Sequence, residues 1–415
     1  MSLSESVRDL QVALNTIVNL EKELNDERLI DDVKVAVKTA EKAISDATGG
    51  ALHRLNASKP SIDTVKELVE RIPDALSCKN EEDQLPIQSA VWDIDSVKYV
   101  PVLAKEGITH EIGGRGMRGG LLVTDPRVED DWNTLQSIVN LRTKEDPIPD
   151  DTASLEAIKE LRKENLLVQS DIKKQNLLFW SCFQTNKMTF EYLAEWDPDN
   201  LMTGTYKGLP INHAIIKHRK DLDGFTVFLA TSLKHHPQHL GLLFQKDSSG
   251  KTAYERAIEK DGNERTFNVI KDCIPTDTDL PILHHVIKDA PKHINDFSIR
   301  YPSATYLRDV DGRSFLQARL AEGTKIFANN GLFFTRMTDD EIAELDPVTM
   351  QYPFLTCASR EASDVSTIFF LLSRNPSLLE KTIEQTTDEF AEEERSRKRN
   401  RDSDDDNGDE NSVSL

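Results

Sequence analysis

The chain has 415 residues, a formal net charge of −21, and no apolar run close to the roughly 18 to 20 residues needed to cross a bilayer. So acidic a chain is a poor candidate for a general nucleic-acid binder or for adhesion to anionic membranes, because both attract clustered Lys and Arg. Hydrophobic residues make up 38% of the sequence, which is enough to bury a core. The length fits one long solenoid or two to three ordinary domains.

The cysteines and the first residues predict an intracellular protein. Cys78, Cys182, Cys273 and Cys357 are far apart in the sequence and form no CxxC pair, which is typical of a reducing compartment. Residues 1–9 hold no basic segment followed by an apolar one, so we expect no signal peptide. The choice between cytoplasm and nucleus stays open.

Residues 1–48 are predicted to form two amphipathic helices. Apolar residues fall on heptad a and d positions between Leu3 and Leu24, and a second apolar set runs from Ile30 to Ile44. Two interpretations are open: a coiled coil that dimerises, and a helical hairpin that caps a solenoid. Each stretch is short for a coiled coil, which favours the cap.

Residues 49–106 and 174–382 repeat one short pattern. It has an apolar or aromatic residue, Pro, a large apolar residue, two variable residues and usually a small one. Proline is tolerated in the first turn of a helix, where its missing N–H costs nothing. The large and the small residue then share one helix face, which a neighbouring helix can approach. The clearest copies are residues 85–90, 209–214, 280–285 and 352–357.

A second helix is predicted after each copy, and turn signals precede some of them. Amphipathic spacing predicts helices at residues 65–72, 225–233, 267–273 and 365–372. Asp311-Gly312 and Ser249-Gly250 are each followed two residues later by Ser or Thr, which predicts a β-turn leading into a capped helix. We therefore expect two blocks of helical hairpins.

Residues 107–173 interrupt this pattern with a Gly-rich loop and short helices at 132–141 and 155–168. Gly114, Gly116 and Gly119 formally satisfy G-x-G-x-x-G. A dinucleotide site needs a helix start directly afterwards, whereas a proline stop follows here. We expect a mobile loop that contacts a partner through Arg115 and Arg118.

Residues 383–415 are acidic, lack an apolar period and are predicted to be disordered. Acidic flanks largely cancel the field of the basic cluster inside this tail, so a nuclear import signal is favoured over a nucleic-acid contact. Ser403, which precedes three acidic residues, is a candidate phosphorylation site. The basic cluster consists of Arg395, Arg397, Lys398, Arg399 and Arg401.

Residues 50–379 resemble ankyrin repeats, whose consensus is D-G-x-T-P-L-H-x-A. Asp311, Gly312, Ser314 and Leu316 follow that consensus, and only His53 occupies its His position. The whole is similar to the degenerate ankyrin-like proteins of diatoms and related microalgae. The resemblance implies an all-α fold, an ankyrin-like solenoid of stacked helical hairpins. It also implies partner binding on the concave face and no catalytic residues.

The residues themselves predict no catalytic, metal or cofactor-binding site. His235, His236 and His239 cluster, but Pro237 lies between them and no Cys or carboxylate ligand recurs nearby, so we expect surface histidines. Cys182 and Cys357 occupy the small-residue position of the pattern, which predicts core residues.

The favoured function is a non-catalytic scaffold or adaptor that binds other proteins, whose identity the sequence leaves open. We expect no nucleic-acid, membrane or small-molecule partner. One alternative is a nucleotide-binding or enzymatic protein built on the loop from Gly113 to Gly120. Another is an oligomeric structural protein that assembles through the N-terminal helices; the oligomeric state stays open.

Overall fold

The computed structural model describes residues 12, 27–128, 131–141, 151–323, 337–359, 365–383, 392 and 395–396. This part of the chain is mostly helical, which confirms the all-α class. It divides into two compact units, Met1–Cys273 and Ile274–Leu415. Among the described residues, no helix combines the length and the apolar character that crossing a membrane requires.

The first unit is built from short helices joined by tight turns. Its helices are α1 (Glu27–Leu52), α2 (Leu55–Ser58), α3 (Ile62–Arg71), α4 (Pro86–Ala90), α5 (Val100–Thr109), α6 (Thr134–Val139), α7 (Thr152–Lys163), α8 (Gln169–Lys174), α9 (Leu177–Phe183), α10 (Lys187–Trp196), α11 (Asp199–Thr203), α12 (Ile211–His218), α13 (Asp223–His235), α14 (Ala253–Asp261) and α15 (Asn263–Cys273). Its 3₁₀ helices are Pro73–Ser77, Val97–Tyr99, Arg118–Gly120 and Pro237–Leu242.

The second unit is also built from short helices. Its α-helices are α16 (Ile282–Asp289), α17 (Ile294–Arg300), α18 (Phe315–Ala321), α19 (Asp339–Ala343), α20 (Pro353–Ala358) and α21 (Val365–Arg374), and its 3₁₀ helices are Pro291–His293 and Pro302–Tyr306. The helices predicted at residues 65–72, 225–233, 267–273 and 365–372 are confirmed as α3, α13, α15 and α21.

Local sequence explains where these helices begin. Pro86 and Pro353 stand in the first turns of α4 and α20, as the repeated pattern predicts. At α3 the Ser61 side chain accepts a hydrogen bond from the Thr64 backbone N–H, while Val65, Leu68 and Val69 bury one face. The N-cap residue and the spacing of the apolar residues therefore both favour a helix over this stretch.

Helices of the first unit contact one another in two rows. One row contains α6, α9, α12 and α14, and the other contains α3, α5, α7, α10, α13 and α15. Each member contacts the next member of its row, and α9, α12 and α14 each also contact the helix that follows them in the chain. The pair α6 and α7 stands in these rows, in the stretch where the sequence leaves open an insertion or another degenerate repeat. In the second unit, α16, α18 and α20 form a corresponding row.

A two-stranded hairpin precedes α12. Strands β1 (Thr205–Tyr206) and β2 (Leu209–Pro210) pair antiparallel. Lys207 and Gly208 join them with φ values of 48° and 81°. Positive φ at both central residues is the geometry that matches the twist of two flanking strands. On its buried side, Tyr206 stacks on Phe179 with ring centroids 3.9 Å apart, which ties the hairpin to α9.

The Gly-rich segment differs from the mobile loop predicted, because its second half packs tightly. A Cβ at Gly119 would lie 2.0 Å from the Ala104 carbonyl oxygen, and a Cβ at Gly107 would lie 2.7 Å from the Gly119 carbonyl oxygen. Two glycines therefore allow the 3₁₀ helix Arg118–Gly120 to touch the backbone of α5. Gly114 and Gly116, at the exposed tip, have open space around them.

Candidate functional site

Three turns, which precede α4, α14 and α18, share one hydrogen-bond pattern. In each, an Asn or Asp oxygen accepts hydrogen bonds from the backbone N–H groups two and four residues later, at 2.8 to 3.2 Å. The residue three positions after it has φ between 61° and 79°. The Asn or Asp lies five residues before the N-cap of the next helix. These residues are Asn80, Asp247 and Asp309.

The turns explain part of the sequence signal. Gly250 and Gly312 supply the positive φ in two of them, whereas Asp83 adopts it in the third. At the end of the turn, Thr252 and Ser314 cap α14 and α18 with reciprocal bonds to Glu255 and Gln317. A turn of this kind leads directly into the N-cap of the following helix.

A recurring polar link connects several short helices to the next turn or loop in the chain. A His or Gln donates its side-chain N–H to a backbone carbonyl 25 to 39 residues ahead. In five cases the donor is the third residue of its helix, and in the sixth His53 directly follows the end of α1. The donor–acceptor distances lie between 2.8 and 3.2 Å. The six pairs found in the described residues are His53–Cys78, Gln88–Thr124, Gln136–Gln175, His213–Gln245, His284–Arg313 and Gln317–Glu344.

His213 and Asp247 lie at the centre of a buried polar cluster in the first unit. His213 Nε2 donates to the Gln245 carbonyl at 2.8 Å, and its Nδ1 lies 3.7 Å from Asp247 Oδ2. Arg256 donates to the same oxygen through Nε and Nη2, at 3.0 and 2.6 Å. The Ser249 hydroxyl donates to Asp247 Oδ1 at 2.7 Å. The cluster ties α12, the turn and α14 together.

Charge and burial set the protonation of this cluster. Burial lowers the pKa of His213, and the Gln245 carbonyl and Asp247 act in the opposite direction. Burial raises the pKa of Asp247, but hydrogen bonds from Ser249, Arg256 and Lys251 outweigh it, so that pKa lies well below its usual range. The imidazole is therefore neutral and the carboxylate ionised at neutral pH.

An open cavity of about 360 Å³ lies beside this cluster, between α12 and α14. That volume is at the lower end of the range for ligand pockets. Leu209 and Ile216 provide its apolar surface, and the other lining residues carry charge or an imidazole. Its complete lining is Leu209, His213, Ile216, Lys217, Arg256, Glu259 and Lys260.

Lys260 links the two walls of the cavity. Its Nζ donates to the carbonyl oxygens of Ile216 and Arg219, where α12 ends. Partial burial lowers the pKa of Lys260, while Asp261 and Asp221 act in the opposite direction. This ammonium group is therefore held at the cavity by backbone dipoles without an ion pair in the described residues. Such a group favours a nearby anion.

The hairpin and the cavity were missed by sequence reasoning. Lys207-Gly208, set between Thr205-Tyr206 and Leu209-Pro210, is a short-range signal that a search for two-residue turns would have found. Asp247 stands two residues before the turn signal at Ser249-Gly250. The cavity itself has no local signal, because it forms only where α12 and α14 pack.

The two arginines predicted to contact a partner have different environments. Arg118 forms an ion pair with the buried carboxylate of Asp171 and donates to the Leu166 carbonyl at 3.2 Å. Arg115 lies on the exposed part of the loop. The structure therefore places Arg118 in an internal contact and leaves Arg115 the more accessible of the two.

The loop from Gly113 to Gly120 has no helix start directly after it. Gly119, the third glycine of the formal G-x-G-x-x-G pattern, packs against the backbone of α5. The next α-helix, α6, begins at Thr134. The backbone geometry that a dinucleotide site needs after its glycines is therefore different from the one found here.

The prediction that the three neighbouring histidines all lie on the surface is wrong for His236. His236 is buried, and its Nε2 donates to the Pro198 carbonyl at 3.0 Å, whereas His239 is exposed. The buried imidazole fastens the end of α13 to the preceding loop. Across the described residues, no group of three or more His, Cys, Asp or Glu side chains is placed to hold a metal ion.

The cysteines follow the pattern for the core. Cys182 and Cys357 are buried, as their small-residue position predicts. Burial raises the pKa of the Cys182 thiol well above its usual value. It also raises the pKa of Cys273 to about 11. The thiols of Cys182 and Cys273 are therefore protonated at neutral pH.

Several predicted features lie outside the described residues. They are the N-terminal heptads apart from Val12, all of the basic cluster apart from Arg395, and Ser403. Arg395 is exposed. The nuclear import signal, the phosphorylation site and the coiled coil stay predictions.

Comparison of the chain with protein-family models, with curated proteins and with solved structures finds no match. The resemblance to ankyrin repeats therefore rests on the residues of this chain, and the function must be argued from its geometry.

Proposed function

We propose that the chain is a non-catalytic scaffold that binds other proteins through an ankyrin-like stack of helical hairpins. The recurring polar link is the observation that carries the proposal. Each link joins one turn-and-helix element to the turn or loop of the next, over a similar distance in sequence. Contacts between successive repeats are the kind that hold a solenoid together.

The position of the linking residues supports the ankyrin resemblance. His53 holds the consensus His position, and glutamine holds it in the copies that begin at Pro86, Thr134 and Phe315. In the copies with Pro210 and Pro281 the histidine stands one position later, at His213 and His284, and still reaches a carbonyl. The link thus recurs where the consensus residue is displaced or replaced.

The arrangement of the helices supports the same proposal. In the first unit, α9, α12 and α14 line up in one row, and α10, α13 and α15 in another. Repeats of this kind form a continuous surface from their first helices and from the hairpins or turns before them, and proteins use such surfaces to bind partners. The hairpin at Lys207 precedes the first helix α12, and its residue Leu209 lines the cavity between the first helices α12 and α14.

Affinity purification with the full chain as bait tests this function. A parallel bait lacking residues 389–415 separates the repeats from the tail. We expect both baits to recover the same protein, and the purified partner to bind both with equal affinity by calorimetry. Binding that depends wholly on the tail, or recovery of no stoichiometric protein, would contradict the proposal.

A further inference from the structure

The cavity between α12 and α14 has two facing stripes of side chains. On the α12 side, His213 and Lys217 are four residues apart, and Leu209 stands on strand β2 just before the helix. On the α14 side, Arg256 and Lys260 are separated by the same spacing. Residues four apart lie on one face of a helix, so each helix turns a single stripe toward the cavity.

Positive charge is in excess at this place. Arg256 is neutralised by the buried Asp247, and Glu259 forms an ion pair with Lys251. Lys217 and Lys260 form no ion pair with any described residue. Two cations are therefore left over in a chain whose net charge is −21, so the excess runs against the charge of the protein as a whole.

The cations are arranged around an apolar wall. Ile216 is buried and Leu209 is half-buried, and both line the cavity. Two hydrogen bonds to Asp247 hold the Arg256 guanidinium, and two backbone carbonyls hold the Lys260 ammonium. Preorganised donors lose little entropy when an anion binds to them. Together these groups match a carboxylate carried on a short aliphatic stem.

We propose that this cavity binds a glutamate side chain from an acidic segment of a partner protein. The methylene groups would lie against Leu209 and Ile216, and the carboxylate would accept hydrogen bonds from Lys260 and Lys217. This proposal rests on the protein-binding function proposed above and names the chemistry of the partner. A free carboxylate or phosphate ion is the competing occupant, and the test distinguishes it.

The test uses the folded full-length chain and a random peptide library displayed on phage. We expect the selected peptides to be enriched in Glu. Replacement of the shared Glu by Gln in a synthetic peptide should weaken binding about tenfold or more, as expected for the loss of a charge-assisted hydrogen bond. Fluorescence polarisation of the labelled peptide measures this change.

Lys217→Gln is the informative variant, because Lys217 is exposed whereas Lys260 also closes the end of α12. It should weaken the acidic peptide about tenfold. Lys173→Gln makes the same charge change at an exposed position outside the cavity lining and should leave binding unchanged. Circular dichroism and melting curves confirm that both variants fold.

Three outcomes would overturn the proposal for the cavity. One is a library without acidic enrichment, and another is an acidic peptide that binds wild type and Lys217→Gln equally. The third is displacement of the peptide by free glutamate or phosphate at the concentration of peptide itself, which would identify a small-anion site. If selected peptides bind elsewhere, the cavity proposal fails while the scaffold function stands.

Discussion

The turn before α14 and the turn before α18 share a backbone and differ in their surroundings. In both, an Asp oxygen accepts two backbone N–H groups, a glycine follows at φ 79°, and a hydroxyl caps the next helix. In both, a histidine from the preceding first helix donates to a nearby carbonyl. The framework is therefore the same in the two units.

The side chains on the following helix are different. Arg256 and Lys260 of α14 stand four and eight residues after the cap Thr252, whereas Ala318 and Glu322 hold those places after Ser314. Asp247 is accordingly buried under a guanidinium, and Asp309 is half-buried. The hydrogen bonds that build the turn are thus separable from the charges that make the cavity.

Removal of the turn carboxylate should show the largest difference between the two turns. Asp247→Ala loses the turn bonds and leaves Arg256 without its partner, so we expect about 3 kcal/mol of destabilisation. Asp309→Ala loses only the turn bonds and should cost about 1.5 kcal/mol. Hydrogen exchange of peptides from each unit, read against urea, measures both values.

Asp247→Asn is the matched control for that pair. Asn80 builds the same turn with an amide oxygen, so Asn at position 247 should keep the turn and lose only part of the interaction with Arg256. The destabilisation caused by Asp247→Asn should therefore lie between zero and that caused by Asp247→Ala. Equal costs for Asp247→Ala and Asp309→Ala would show that Arg256 adds nothing to the turn.

Replacement of the turn glycines should give the next largest loss of stability, and the loss should be equal in both units. Gly250→Ala and Gly312→Ala force a Cβ into left-handed backbone at about 1 to 2 kcal/mol each. Neither Cβ would clash, so strain alone sets the cost. Asn should cost less at either position, because it tolerates this conformation. Urea denaturation checks the order, with Gly50→Ala, a helical glycine with ordinary φ, expected to stabilise.

Removal of the helix cap should lower the stability by about 1 kcal/mol in each unit. Thr252→Ala and Ser314→Ala each remove a side-chain acceptor for the N3 backbone N–H of α14 or α18. Thr252→Ser and Ser314→Thr retain that acceptor and should be near neutral. Hydrogen exchange of the first-turn amides is the direct measurement. Unchanged protection in the alanine variants would mean that tertiary packing, not the cap, holds the helix start.

Much of this framework could be predicted from the sequence, because its causes are local. Apolar spacing, early prolines and the Gly-Lys-Thr and Gly-Arg-Ser turns each act within a few residues, and they predicted helices that the structure confirms. The cavity and the ion pair between Arg118 and Asp171 could not be predicted in this way. Their partners come from helices far apart in the chain, and only packing brings them together.

Acidification should give the smallest effect and test the histidine links. Burial is the largest cause that lowers the pKa of His53, His213 and His284 below the ordinary value of 6.5. The unfolded chain then binds a proton more tightly than the folded one. The stability that these three neutral histidines contribute is therefore fully present above pH 6.5 and is lost as the pH drops below that value.

The double variant His213→Gln and His284→Gln isolates this contribution. Gln88 and Gln317 make the same kind of link, so glutamine should preserve the fold at pH 7.5 while removing two titrating groups. Urea midpoints between pH 7.5 and 5.0 should fall for wild type and fall less for the variant. That range lies above the window in which Asp247, with its lowered pKa, takes up a proton. Equal slopes would mean that these two histidines do not carry the acid sensitivity of the repeats.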